Sequence, residues 1–289
     1  MHIAIIGLGE VGQCYAQALH AAGHTLNLCA PRPNAAALRM AQDWGLKVHA
    51  TVADCVPQAE WIFSCVTGAV ALAVVQDIAR QAQAGATVCD FTTAGVNIKK
   101  QAAAHATSQG LRYVDVAIMG AIALGGLKTP LLASGEGAQA FAEVLNAAGA
   151  RAQVVAGVAG DAMAIKLLRS QFTKGLEALS VEVCMAAEQQ GLRDQLFAQL
   201  QDIDDTPLRS FVDMLVRTHV VHARRRAQEV RDVMQGLELA GLPSAVLPGV
   251  VQRFTNTARA LEQAPLPVPQ PTSDQALQWL LQYGRQGSY

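Results

Sequence analysis

At 289 residues, with 51% hydrophobic and 16% charged residues and a formal net charge of −1, the chain has the composition of a globular protein with a well-filled interior. The length suits two domains better than one core, and the low charge excludes a disordered chain. Near-neutrality leaves no basic field for nucleic acid or an anionic membrane surface. The densest basic cluster, Arg224-Arg225-Arg226, is too short and isolated for a DNA-binding arm. The longest apolar stretch, 61–75, is interrupted by Ser64, Thr67 and Gly68 and is too short to span a bilayer.

The chain opens on a short apolar run that leads into Gly7-Leu8-Gly9-Glu10-Val11-Gly12, a G-x-G-x-x-G followed by helix-forming residues to Ala22. Strand, glycines and helix in that order are what a dinucleotide-binding turn requires. Gly7 lets the chain turn, Gly9 lets backbone approach a pyrophosphate, and Gly12 lets helix and strand pack closely; the helix N-terminus faces the phosphates. Because the first strand begins at the N-terminus and no basic region precedes it, no signal peptide is expected, and the expected location is cytoplasmic. Cys14, Cys29, Cys55, Cys65, Cys89 and Cys184 form no C-x-x-C pair and read as small core hydrophobes. The seven histidines include no H-E-x-x-H and no neighbouring carboxylate cluster, so no metal site is expected.

Strand and helix then alternate. Strands are expected at 25–29, 47–49, 61–66, 87–91, 112–118, 130–134 and 153–156, with helices at 34–44, 69–82, 96–108 and 136–147 between them. Repeated βα units mean a Rossmann-type, doubly wound parallel sheet covered by helices on both faces, with ligands bound beyond the carboxyl ends of the strands. That rule singles out Gly7 to Gly12, Arg32, Val66 with Thr67, Thr92 with Thr93, and Met119 with Gly120. From Gly160 the pattern becomes helical, first over 161–190, then in helices broken at Thr206-Pro207, Gly241-Leu242-Pro243 and Pro248. Four prolines at 265, 267, 269 and 271 precede a last helix at 273–283. The expected division is a dinucleotide-binding domain over 1–159 and an all-helical domain over 160–289.

The end of the second strand carries Ala30 where an NAD-binding turn has an acidic residue, and Arg32 follows two residues later. An arginine fork pairs with a 2′-phosphate, so NADP is the expected cofactor, with NAD as the alternative.

The opening glycines with Ala22-Gly23-His24 resemble the β-hydroxyacid dehydrogenases, which include 3-hydroxyisobutyrate and 6-phosphogluconate dehydrogenases. The resemblance continues in Asp90-Phe91-Thr92-Thr93, in Asp115 to Gly120, and in Gly160-Asp161-Ala162-Met163-Ala164-Ile165-Lys166. It implies Thr92 and Thr93 near the nicotinamide ribose, a substrate loop at Met119-Gly120 and a catalytic lysine at Lys166. The stretches 166–170 and 222–229 look like a phosphogluconate dehydrogenase-like branch whose helical C-terminal domain has no assigned function. Two departures concern the substrate. The family's Ser-Gly-Gly loop is Met119-Gly120-Ala121 here, and Arg169 and Ser170 replace an Asn or His and an Asn beyond the lysine.

A lysine exchanges the hydroxyl proton in hydride transfer if burial or nearby positive charge lowers its pKa. Lys166, in an apolar helical segment, is assigned that role. Arg169, one turn on, could bind a substrate carboxylate or phosphate or pair with an acid. His222 and Arg224 to Arg226 are read first as a solvated helix face and second as a contribution to a partner subunit's site. The expected function is an NAD(P)-dependent oxidoreductase interconverting a hydroxyl and a carbonyl on a small, acidic metabolite. The alternatives are an imine reductase-like enzyme, which typically lacks the lysine, and a non-catalytic NADP-binding sensor or scaffold. Long apolar helices in a small C-terminal domain are hard to bury alone, so a homodimer is expected.

Overall fold

The computed structural model describes residues 1–284. Two compact units are present, Met1–Gln171 and Phe172–Tyr289. Residue 160, the division expected from composition, is where the long helix begins; by packing, the units part inside that helix.

The first unit is an eight-stranded sheet with the order β3-β2-β1-β4-β5-β6-β7-β8. Its strands are β1 (His2–Ile6), β2 (Thr25–Cys29), β3 (Val48–His49), β4 (Trp61–Ser64), β5 (Thr87–Asp90), β6 (Arg112–Ile118), β7 (Pro130–Ser134) and β8 (Arg151–Val154). The order turns back at β1, next to β4, so the opening glycines lie at the switch point of the sheet. Helices α1 (Glu10–Ala21), α2 (Ala35–Asp43) and α6 (Ala138–Ala147) bury Tyr15, Leu19, Met40 and Phe141 against one face. On the other face α3 (Ala71–Gln81) and α4 (Val96–Ser108) bury Val75, Ile78, Ala102 and Ala106. This is the doubly wound arrangement that the alternating pattern implies.

The sheet departs from the expected wholly parallel form at one place. β7 runs antiparallel to β6, and β8 then pairs parallel with β7. Residues 119–129 between β6 and β7 hold only α5 (Ile122–Gly125) and a single 3₁₀ turn. That connection is too short for a crossover helix, so the chain folds back. β8 also begins two residues before its expected start.

The long α7 (Asp161–Gln189) is followed by α8 (Arg193–Gln199), α9 (Gln201–Asp204), α10 (Leu208–Leu239), α11 (Leu247–Gln263) and α12 (Ser273–Tyr283). In the second unit Val220, Ala260, Ala276 and Trp279 form a small core between α10, α11 and α12. Glu182 on α7 accepts hydrogen bonds from the Ser244 hydroxyl and the Ala245 and Val246 N–H groups, anchoring the turn before α11. Thr272 and Gln275 close a reciprocal capping box on α12. Among the described residues no helix is long and apolar enough to cross a membrane, and all six cysteines are free.

Candidate active site

The glycine turn is built by steric necessity. Gly7 has φ +91°, donates its N–H to the Cys29 carbonyl at 2.9 Å, and a methyl on it would lie 2.6 Å from the Cys65 carbonyl oxygen. A methyl on Gly12 would come within 1.9 Å of the Gly7 carbonyl oxygen. These two positions admit only glycine. Gly9 differs: a methyl there would meet nothing within 4 Å, and no side chain caps the α1 N-terminus that follows. Open space above an uncapped helix N-terminus fits the pyrophosphate of a dinucleotide.

The loops after β4 and β5 extend this edge. Val66 is half-buried, Thr67 is exposed, and Gly68 packs so closely that an added methyl would be 3.1 Å from the Thr93 carbonyl oxygen. Thr92 is buried, and its hydroxyl lacks a hydrogen-bond partner among the described residues. An unsatisfied hydroxyl at this edge fits a bound cofactor that completes it. Glu10 and Arg32 are exposed, Val11 is half-buried and Leu8 lies in the core. Arg32 has no ion-pair partner among the described residues, which leaves its fork free for a phosphate.

Lys166 lies on the first turns of α7, half-buried, with its Nζ 3.5 Å from the Thr93 hydroxyl. Burial lowers its pKa most; Lys99 lowers it further, and Asp115 opposes them. Met119 packs with Ala117, Ala162 and Met163 beneath α7. Gly120 is exposed against Thr129, Arg169 is exposed without an ion pair among the described residues, and Ser170 is half-buried. The structure thus brings Thr93 and Lys166 together and sets Met119 at the base of the same helix.

In the second unit the basic cluster is engaged locally. Arg224 pairs with Glu262, Arg225 with Glu229, and Arg226 donates to the Thr218 hydroxyl at 3.1 Å. His222 is half-buried. Among the described residues no three His, Cys, Asp or Glu side chains converge to hold a metal ion.

A feature that the sequence reading did not assemble lies directly beneath Lys166. Ser64, Asp90, Asp115 and Ser134 occupy one register row across β4, β5, β6 and β7, and all four are fully buried. Lys99, fully buried on α4, reaches this row with its Nζ 3.2 Å from Asp90 Oδ1, 3.2 Å from Asp115 Oδ1 and 2.7 Å from the Asp90 carbonyl. Asp90 also accepts from the Tyr113 hydroxyl at 2.6 Å and from the Thr92 N–H at 2.8 Å. Asp115 Oδ2 accepts from the N–H groups of Gly160 at 3.2 Å and Met163 at 2.9 Å, and Ser134 accepts from Ala162 at 3.0 Å. The orphan donors at the start of α7 are therefore satisfied by sheet side chains. Removing one partner of such a buried pair costs roughly 3–5 kcal/mol, since a buried charge is left unpaired.

Comparison with known proteins follows the same outline. A conserved protein of unknown function, whose structure is described as similar to 3-hydroxyacid dehydrogenases, is 26% identical, with a TM-score of 0.65 over 91% of this chain and 99% of that one. An imine reductase from Bacillus cereus shares the fold at 15% identity, with a TM-score of 0.77 over 96% of this chain and 98% of that one. An imine reductase from Myxococcus stipitatus, in complex with NADP+, shares it at 16% identity and a TM-score of 0.71 over 97% and 100%. Residues 187–257 match a domain of unknown function. Residues 2–160, more than half of the chain, match the NAD binding domain of 6-phosphogluconate dehydrogenase, and the chain belongs to that family of Rossmann-fold, NAD(P)-binding oxidoreductases.

Proposed function

We propose that this protein is an NADPH-dependent reductase of a carbon–nitrogen double bond in a small substrate, with Lys166 as the proton donor. The observation that carries this reading is the chemistry around the Lys166 amine. The neighbouring loop residues 119–121 carry no side-chain hydroxyl to hold a carboxylate, and Met119 is packed against Ala162 and Met163. An apolar patch of Met119, Ala162 and Met163, ending one helical turn before Lys166 on α7, suits an imine better than an acid. The imine reductases that share the fold over nearly the whole length support the substrate class, while Lys166, which such enzymes typically lack, would supply the proton in this chain.

Bound NADPH supplies the hydride. Gly7 to Gly12 would hold the pyrophosphate, Val66, Thr67, Thr92 and Thr93 would hold the nicotinamide half, and Arg32 would pair with the 2′-phosphate. Burial and Lys99 make the Lys166 ammonium a stronger acid than an ordinary lysine, so it protonates the imine nitrogen more readily. In the second reading, favoured by the Lys166 amine itself, the same group takes the hydroxyl proton of a β-hydroxy acid. The exposed Arg169 and the half-buried Ser170 would then bind the carboxylate, together with the Gly120 backbone.

The test is titration with NADPH and NADH by nicotinamide fluorescence, followed by turnover with cyclic imines and β-keto acids. Tighter NADPH binding and oxidation by an imine are expected. Lys166→Met should keep nucleotide binding while turnover falls by about 100-fold or more. Turnover of keto acids alone moves the assignment to the second reading, and undiminished turnover in the variant removes Lys166 from the chemistry.

A further inference from the structure

Two carboxylates standing opposite each other on neighbouring strands repel and destabilise a sheet. Asp90 on β5 and Asp115 on β6 are such a pair, in register and fully buried. Lys99 spans them, and each carboxylate also accepts from a different backbone segment. Asp90 holds the N–H of Thr92, the residue before Thr93. Asp115 holds Gly160 and Met163, the latter one helical turn before Lys166. The two ends of the Lys166–Thr93 contact are thus tied to one buried ammonium, although among the described residues Lys99 hydrogen-bonds to neither side chain.

Resting on Lys166 as the proton-exchanging group, we propose that Lys99 is a positioning residue: by bridging Asp90 and Asp115 it locks the Thr93 turn and the N-terminus of α7, and so holds the Lys166 amine in place against Thr93. The arrangement also has an electrostatic consequence. The charged groups on the elements that meet at Lys166 are Lys99 and Lys100 on α4, Asp90 on β5, Asp115 on β6, and Asp161 and Arg169 on its own helix; the Lys100 stem lies against Gly160. Of these, Lys99 acts to lower and Asp115 to raise the proton affinity of Lys166. The bridge therefore sets both the place and the titration of the amine.

The experiment is the pH profile of acetic anhydride labelling at Lys166 in the full-length protein, read by peptide mass spectrometry and normalised to the exposed Lys47. Only the free amine reacts, and activity is not part of the readout. Lys99→Met should lower Lys166 labelling at a fixed pH several-fold, because it removes the neighbouring cation and leaves two unbridged carboxylates. Asp115→Asn, which keeps an acceptor oxygen for the α7 N–H groups, should raise it several-fold, as should Asp90→Asn. Circular dichroism checks the fold of each variant, and the two Asn variants carry the test if Lys99→Met does not fold. A purely structural network would loosen the site and move all three variants in one direction. Shifts of one sign, unchanged profiles, or loss of the fold in all three variants would overturn the proposal. If Lys166→Met kept full turnover, the functional reading would fail while the labelling result stood unaffected.

Discussion

At the scale of single residues, the three glycines of the opening turn carry different loads. Gly12 has the Gly7 carbonyl where a side chain would go, whereas Gly9 faces open space with φ −75°. Gly9→Ala should therefore fold with little change in thermal midpoint but lose NADPH affinity by about tenfold, or 1.4 kcal/mol. Gly12→Ala should lose the fold of the nucleotide-binding unit, because the clash is with backbone. Equal melting of both variants would show that the turn tolerates both side chains. The glycines were legible in the sequence because a local motif encodes a local shape. Lys166 was singled out by resemblance, and its role in proton exchange is a proposal. Lys99 was not assembled, although its signal was present: a charged residue on the apolar stripe Val96, Ala102, Ala106 of α4, and an aspartate inside the apolar run of β6. Each signal means little until the fold shows that they point at each other.

At the scale of elements, hydrophobic periodicity located the strands and helices well, because each repeat length is a local property of the chain. The reversal of β7 was not legible, since strand direction depends on where the preceding connection can reach. Packing of α10 against α11 adds a pH dependence. His219 on α10 bonds Thr257 on α11 at 2.8 Å and lies against Phe254, and burial with Arg253 and Arg226 holds its pKa down to about 4 against 6.5 for an ordinary histidine. As pH falls, the unfolded chain takes up this proton first. The group's contribution to stability is thus present above pH 6.5, falls progressively between about pH 6.5 and 4, and levels off below. Denaturant midpoints should drop more between pH 7 and 5 in the parent protein than in His219→Gln, which retains an amide donor for Thr257. Equal drops would remove His219 as the cause.

At the scale of the whole molecule, the helical unit keeps much apolar surface in contact with solvent. Phe172, Leu176, Val181 and Met185 on α7 and Phe197 on α8 are exposed, and an apolar groove of about 480 Å³ runs between α7, α8 and α10. Exposed apolar area on this scale favours a second copy as its cover, so a homodimer is proposed. Solution scattering should give twice the chain mass of 30.5 kDa, and Leu176→Glu with Val183→Glu should return it to one. A single-chain mass for the parent protein at micromolar concentration would count against this. The sequence by itself determined the βα alternation, the dinucleotide turn and the change to helices near residue 160, because these follow from periodicity and from glycines adjacent in the chain. Only the tertiary structure decided that Asp90, Lys99 and Asp115 meet beneath Lys166. Their encounter depends on strand register and helix packing across the sheet, which no local stretch of the chain specifies.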